Sequence, residues 1–124
     1  MTEKEIFIEN LKKRTKKFAT DVILFCDTLK NSKATPVITY QLIKSATSVG
    51  ANYRAACRGR SKAEFFSKIC IVVEEADESE YWLEVIDETN LSNDKIELQR
   101  LLNESNEICK IMTKAKSSAY IKKL

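Results

Sequence analysis

The sequence predicts an all-α protein, an antiparallel up-down-up-down four-helix bundle formed by a single domain over residues 1–124. Three observations predict it. The chain holds only two Gly and one Pro, whereas turn-rich β architectures need many of both. Apolar residues recur every three or four positions through four long segments, which is the helical period. The breaks between those segments are short and polar, and short connections make consecutive long helices antiparallel neighbours. At 124 residues the chain is long enough for one core and too short for two.

The first helix is predicted over about Glu5–Leu29, along Ile8, Leu11, Phe18, Val22, Phe25, Cys26 and Leu29. Asn31-Ser32-Lys33 breaks it. Thr35 then serves as N-cap of the second helix, with Pro36 at the first helical position, where its missing N–H costs nothing. The second stripe runs through Ile38, Leu42, Ser45 or Ala46, Val49, Tyr53 and Ala56. Gly59 is the expected left-handed cap at its end.

Ser61-Lys62-Ala63-Glu64 is a capping box, in which serine and glutamate each satisfy an orphan amide. It opens a third helix reaching about Glu88, along Phe65, Ile69, Val72, Ala76, Ser79, Leu83 and Ile86. Thr89–Asn93 is the last turn. The fourth helix follows from about Asp94 to Ser118, through Ile96 or Leu98, Leu101, Leu102, Ser105, Ile108, Cys109, Met112 and Ala115. Helices of roughly 25 residues, rising about 1.5 Å each, make a rod on the order of 35–40 Å long.

Charge is segregated. Residues 74–107 hold twelve acids and two bases, while residues 50–73 hold five bases and one acid. Residues 108–124 add five bases and no acid, and residues 1–20 six bases and three acids. An up-down-up-down course gathers about +12 at one end of the rod and about −9 at the other, although the net charge is only +3. The positive end, with Lys12, Lys13, Arg14, Lys16, Lys17, Arg54, Arg58, Arg60, Lys62 and the C-terminal lysines, has the electrostatic footprint of a phosphate-binding surface. A solvated surface that aids solubility or head-to-tail contacts is the plainer explanation. No base-reading motif accompanies the charge, so recognition would rest on backbone and shape.

Apolar residues also exceed the needs of one bundle. Within Phe65–Val73, with Phe66 and Cys70 among them, they occupy more than one helical face, and Tyr81 and Trp82 flank the acidic run. A second apolar face predicts a partner surface, most simply a second copy. On the second helix Ser45, Ser48 and Asn52 share one face among small residues that admit a close neighbour. A buried Asn is hydrogen-bonded, so Asn52 is expected to tie this helix to the next.

Catalysis is not expected. The chain has no His, which removes Glu-x-x-His di-iron ligation and the usual proton-transfer residue, and it has no Gly-rich phosphate loop. An all-carboxylate site for a hard ion in Glu74–Glu80 stays open, although the spacing does not demand one. The four cysteines lie in no paired motif and read as small apolar residues of a reducing compartment. No cofactor is expected. No apolar run reaches 18 residues and the N-terminus is not a signal peptide, so a cytoplasmic protein without membrane contact is expected.

The segments Ser45–Asn52, Arg58-Gly59-Arg60-Ser61-Lys62-Ala63-Glu64-Phe65 and Glu74–Glu84 resemble the bacterial "four helix bundle" family, whose founding members are encoded in intervening sequences of the 23S ribosomal RNA gene. The resemblance covers roughly residues 15–118. Many members carry Asn-Ile-Ala-Glu-Gly where this chain has Asn52-Tyr53-Arg54-Ala55-Ala56, a departure that adds positive charge. The resemblance implies a homopentamer with no enzymatic activity. It also implies an accessory role like that of relatives in diversity-generating retroelements, where a basic pentamer engages a reverse transcriptase and nucleic acid. A homo-oligomer binding structured RNA, or DNA, is therefore the expected function, and a protein-interaction scaffold with no nucleic-acid role is the alternative.

Overall fold

The computed structural model describes the backbone of residues 1–123 and the side chains of residues 1–119. It contains four helices: α1 (Glu3–Cys26), α2 (Thr35–Cys57), α3 (Lys62–Glu88) and α4 (Lys95–Lys123). The protein is all-α, with no strand among the described residues. Each helix packs on two others, α1 on α2 and α4, and α3 on α2 and α4. Among the described residues the backbones of α1 and α3, and of α2 and α4, do not approach closely, so these pairs are diagonal.

Local chemistry sets the helix ends. Thr2 caps α1 by accepting the Glu5 amide at 3.1 Å. The expected capping box opens α3: Ser61 Oγ accepts the Glu64 amide, and Glu64 Oε2 accepts the Arg60 amide at 2.6 Å. Two expectations move by a few residues. The N-cap of α2 is Ala34 rather than Thr35. Ser32 Oγ accepts the Thr35 amide while the Thr35 hydroxyl donates to Lys30 O, because a serine three residues back reaches that orphan donor just as a cap would.

Gly59 is not left-handed. It closes the end of α2 with a short bond to Ala56 O. The left-handed cap belongs instead to Asn90, at φ 55° after α3. There Leu91 N–H donates to Ile86 O and Asn90 N–H to Asp87 O, the paired bonds of a Schellman motif, for which Asn substitutes for Gly.

The core is the predicted one. Phe18, Leu42, Ile69, Leu83, Ile86, Leu98, Leu101, Ile108 and Met112 are almost wholly enclosed. At the start of α4 it is Leu98 that turns inward, leaving Ile96 87% exposed. Gly50 sets the α1–α2 distance: a Cβ there would lie 3.3 Å from Thr15 Oγ1 and 3.4 Å from the Thr15 carbonyl carbon. Thr15 is itself fully buried, its hydroxyl donating to Leu11 O. The α1–α4 seam is clasped by ion pairs, Arg14 on Glu104 and Arg100 on Asp21. Lys30 N–H donates to Leu91 O, tying the α1–α2 connection to the α3–α4 connection.

Among the described residues no helix is long and apolar enough to cross a membrane.

Candidate nucleic-acid interface

The nine cations expected to bind nucleic acid divide into two groups. Three are engaged within the molecule. Arg14 grips Glu104 through two bonds of 2.8 and 2.7 Å, and those bonds hold the guanidinium above its ordinary pKa. Lys12 pairs with Glu9 and Lys17 with Asp21. Burial opposes ionisation of Asp21, yet bonds from Lys17 and Arg100 keep its carboxyl below the usual range. A bidentate cross-helix pair leaves Arg14 little to offer a phosphate.

The other six, Lys13, Lys16, Arg54, Arg58, Arg60 and Lys62, are exposed, and none forms an ion pair among the described residues. Arg54, Arg58, Arg60 and Lys62 span the last turn of α2, its connection and the first residue of α3. Their proximity follows directly from the chain. The capping box holds that connection in one shape by securing Arg60 N–H and Glu64 N–H. Of the C-terminal lysines, Lys122 and Lys123 lie outside the residues whose side chains are described.

Negative charge is spread further along the rod than the two-ended expectation: Glu84, Asp87, Glu88, Asp94 and Glu97 lie about the α3–α4 connection, but five other acids do not. Glu74, Glu75, Asp77, Glu78 and Glu80 fall at the middle of α3, so they band its waist instead of capping a tip. Among the described residues no group of three or more His, Cys, Asp or Glu is arranged to hold a metal ion. Shallow clefts flank the connections among the described residues. One, lined by Cys26, Asp27, Thr35 and Ile43 among others, brings a single carboxylate to its wall.

The residues expected to serve packing or assembly also divide. Ser45 is fully buried and accepts from Ser79 Oγ at 3.0 Å, a polar tie between α2 and α3. Asn52 does not provide that tie. Its Nδ2 donates to Ser48 O and Ser48 Oγ, inside its own helix, because one helical turn separates them. Ser48 lies close enough to the half-buried Glu75 to favour its carboxylate. Phe66 and Cys70 are half-buried and Tyr81 is 55% exposed. Tyr81 meets Trp82 edge-on at 5.0 Å, and the Trp82 indole N–H donates to Glu78 at 3.2 Å. Of the cysteines only Cys26 is buried, its thiol pushed up to about 12 by desolvation, whereas Cys57, Cys70 and Cys109 are half-buried and free.

Burial raises the Glu75 carboxyl, with Glu78 adding to the effect. A group raised in the folded state favours folding below its unfolded pKa, and that contribution is lost as pH rises through the folded value. Glu75→Gln is therefore expected to be more stable than wild type at pH 7. The advantage should vanish below the ordinary value of 4.5, which thermal unfolding across pH reads directly.

Fold and site together define a four-helix bundle protein with a cationic turn at one end. The chain belongs to the 23S rRNA-intervening sequence protein family, whose model matches residues 10–114. It is also similar to the crystal structure of a protein with unknown function from the S23 ribosomal protein family of Bacteroides thetaiotaomicron, with 32% identity and a TM-score of 0.77. That likeness covers 86% of this chain and 97% of the other. No curated protein matches the chain.

Proposed function

We propose that this protein is a non-enzymatic, cytoplasmic, homo-oligomeric accessory protein that binds structured RNA through the cationic turn between α2 and α3. The observation that carries this reading is the group Arg54, Arg58, Arg60 and Lys62, exposed and free of ion pairs among the described residues. Cations not neutralised internally are available to displace the counterions of a phosphate backbone. Guanidinium groups add planar, two-pronged phosphate contacts.

Paired positions support an antiparallel up-down-up-down course. Ser45 meets Ser79 while Ser48 meets Glu75; Arg14 meets Glu104 while Asp21 meets Arg100. In each case one index rises as the other falls. The family supports assembly into a pentamer, which would repeat the turn fivefold and build affinity by multivalency. A reverse transcriptase is a partner class in keeping with such relatives. A protein scaffold without nucleic acid is the second reading, favoured by the exposed Tyr81 beside carboxylates.

Fluorescence anisotropy of a labelled, structured RNA tests the proposal. Four phosphate contacts from a single turn predict a log–log salt slope of about −3, steeper where several copies engage one RNA, so doubling the salt should weaken binding roughly eightfold or more. Changing Arg54, Arg58, Arg60 and Lys62 to Ala should abolish most of the affinity and flatten the slope. Absence of binding at low salt would move function to the scaffold reading.

A further inference from the structure

We infer that copies of this chain associate through two different faces: the outer face of α1 in one copy packs against the outer face of α3 in the next, with the two helices parallel. This rests on the self-association proposed above and assigns its surfaces.

The two faces match in charge and spacing. On α1, Lys13, Lys16, Lys17 and Thr20 are exposed at intervals of three, four and seven residues from the first. On α3, Glu74, Asp77, Glu78 and Tyr81 repeat the same intervals, with Glu78 half-buried beneath the Trp82 indole N–H and the others exposed. Positions at those intervals form one stripe of a helix. Laid side by side in the same direction, the stripes set Lys13 against Glu74, Lys16 against Asp77, Thr20 against Tyr81, and Lys17, which also pairs with Asp21, against Glu78. Run in opposite directions, they lose that one-to-one match.

Apolar residues bracket both stripes. Ile6 and Leu24 are 46% and 66% exposed on α1; in this register Leu24 aligns with half-buried Val85 and Ile6 with exposed Ser67, one turn from half-buried Cys70. This matters because exposed ion pairs alone contribute about 0–1 kcal/mol each. The flanking apolar contacts supply burial and the charges supply register.

The bundle holds the two stripes within about two turns of one height. Thr15 lies against Gly50, and Ser48 and Ser45 meet Glu75 and Ser79, which places the middle of α1 level with residues near 74. Around the other side, Arg14 meets Glu104 while Asn106 meets Glu80, which again places it within a few turns of that level. Because α1 and α3 are diagonal, the lysine face and the carboxylate face point away from each other. A neighbour can therefore be added beside either face with its helices parallel. A heterologous contact of that kind closes into a ring where the rotation per copy divides a full turn, and otherwise stays open. Lys13, Lys16 and Lys17 then lie between copies, and the RNA surface reduces to the α2–α3 turn.

The test is sedimentation velocity with charge reversal. Wild type should sediment as an oligomer whose mass falls as salt rises. K13E/K16E/K17E and E74K/D77K/E78K should each sediment as monomers. Mixing the two, or combining all six changes in one chain, should restore the oligomer, because the complementary pairing is re-formed with signs exchanged. If both triple variants keep the wild-type mass, the assigned faces are wrong while self-association stands; if wild type is monomeric at every salt concentration, self-association itself fails. Circular dichroism checks that each variant folds. As a measurement on the unaltered chain, carbodiimide coupling should join Lys13, Lys16 or Lys17 to Glu74, Asp77 or Glu78. These helices are diagonal within one bundle, with the lysine and carboxylate faces on opposite sides, so such a link reports a neighbour, and an oligomer without one overturns the assignment.

Discussion

Replacing Leu83 by Ala is expected to lower the unfolding free energy by about 2–5 kcal/mol, the range for truncating a fully enclosed leucine. Leu83 sits on α3 with no exposed surface, in the cluster that includes Leu42, Ile69, Ile86 and Leu101. The loss has two parts, the transfer free energy of the deleted methyl and methylene groups and the cavity left behind. Helix α3 packs on both α2 and α4, so it cannot move to fill the space on one side without opening it on the other. Since a domain of this size is stable by only about 5–15 kcal/mol, the substitution removes a large share of that margin. Chemical denaturation should show a lower midpoint with an unchanged slope. A loss well under 1 kcal/mol would mean the bundle collapses onto the cavity more easily than its packing implies.

Enlarging Gly50 tests the close approach of α1 and α2. A Cβ alone at this position would sit 3.3–3.5 Å from Thr15 Oγ1, the Thr15 carbonyl carbon and Lys16 N. Two of those atoms are backbone, so relief requires α1 itself to move. Gly50→Ala gains about 1 kcal/mol of helix propensity against a squeeze of a few tenths of an ångström, and it should stay within about 1 kcal/mol of wild type. Gly50→Leu drives further atoms into Thr15 and should cost about 1–3 kcal/mol, the usual range for overpacking. Because α1 meets α4 through the Arg14–Glu104 and Arg100–Asp21 pairs, displacing α1 also strains that seam. Hydrogen exchange in Gly50→Leu should accelerate first in α1. Uniform acceleration across all four helices would show that α1 and the rest open as one unit.

Much of this molecule was legible before folding. The three-and-four spacing named nearly every buried residue from Leu11 to Met112, and the polar breaks placed all four helices to within a few residues. The serine–glutamate box at residues 61–64 formed as expected, since its chemistry is local. Signals that depend on a third group were less readable. Gly59 carried the residue type of a left-handed cap, but Asn90 took the conformation, because the Schellman bonds needed Ile86 and Asp87 carbonyls at the end of a longer helix. Asn52 offered a polar side chain to a neighbouring helix, yet Ser48 was nearer. The tie formed instead between Ser45 and Ser79, thirty-four residues apart in the chain and invisible to any local pattern.

The candidate site follows the same division. Sequence alone determined that the protein is helical, where its core lies, and that Arg54, Arg58, Arg60 and Lys62 cluster, because each rests on residues a few positions apart. Only tertiary structure decided which cations remain available. Arg14 is matched by Glu104 from a different helix, ninety residues away, and no reading of its own neighbours foretells that loss. Tertiary structure likewise set the lysines of α1 and the carboxylates of α3 on diagonal helices, for charges take their direction in space from the packing of the helices that carry them.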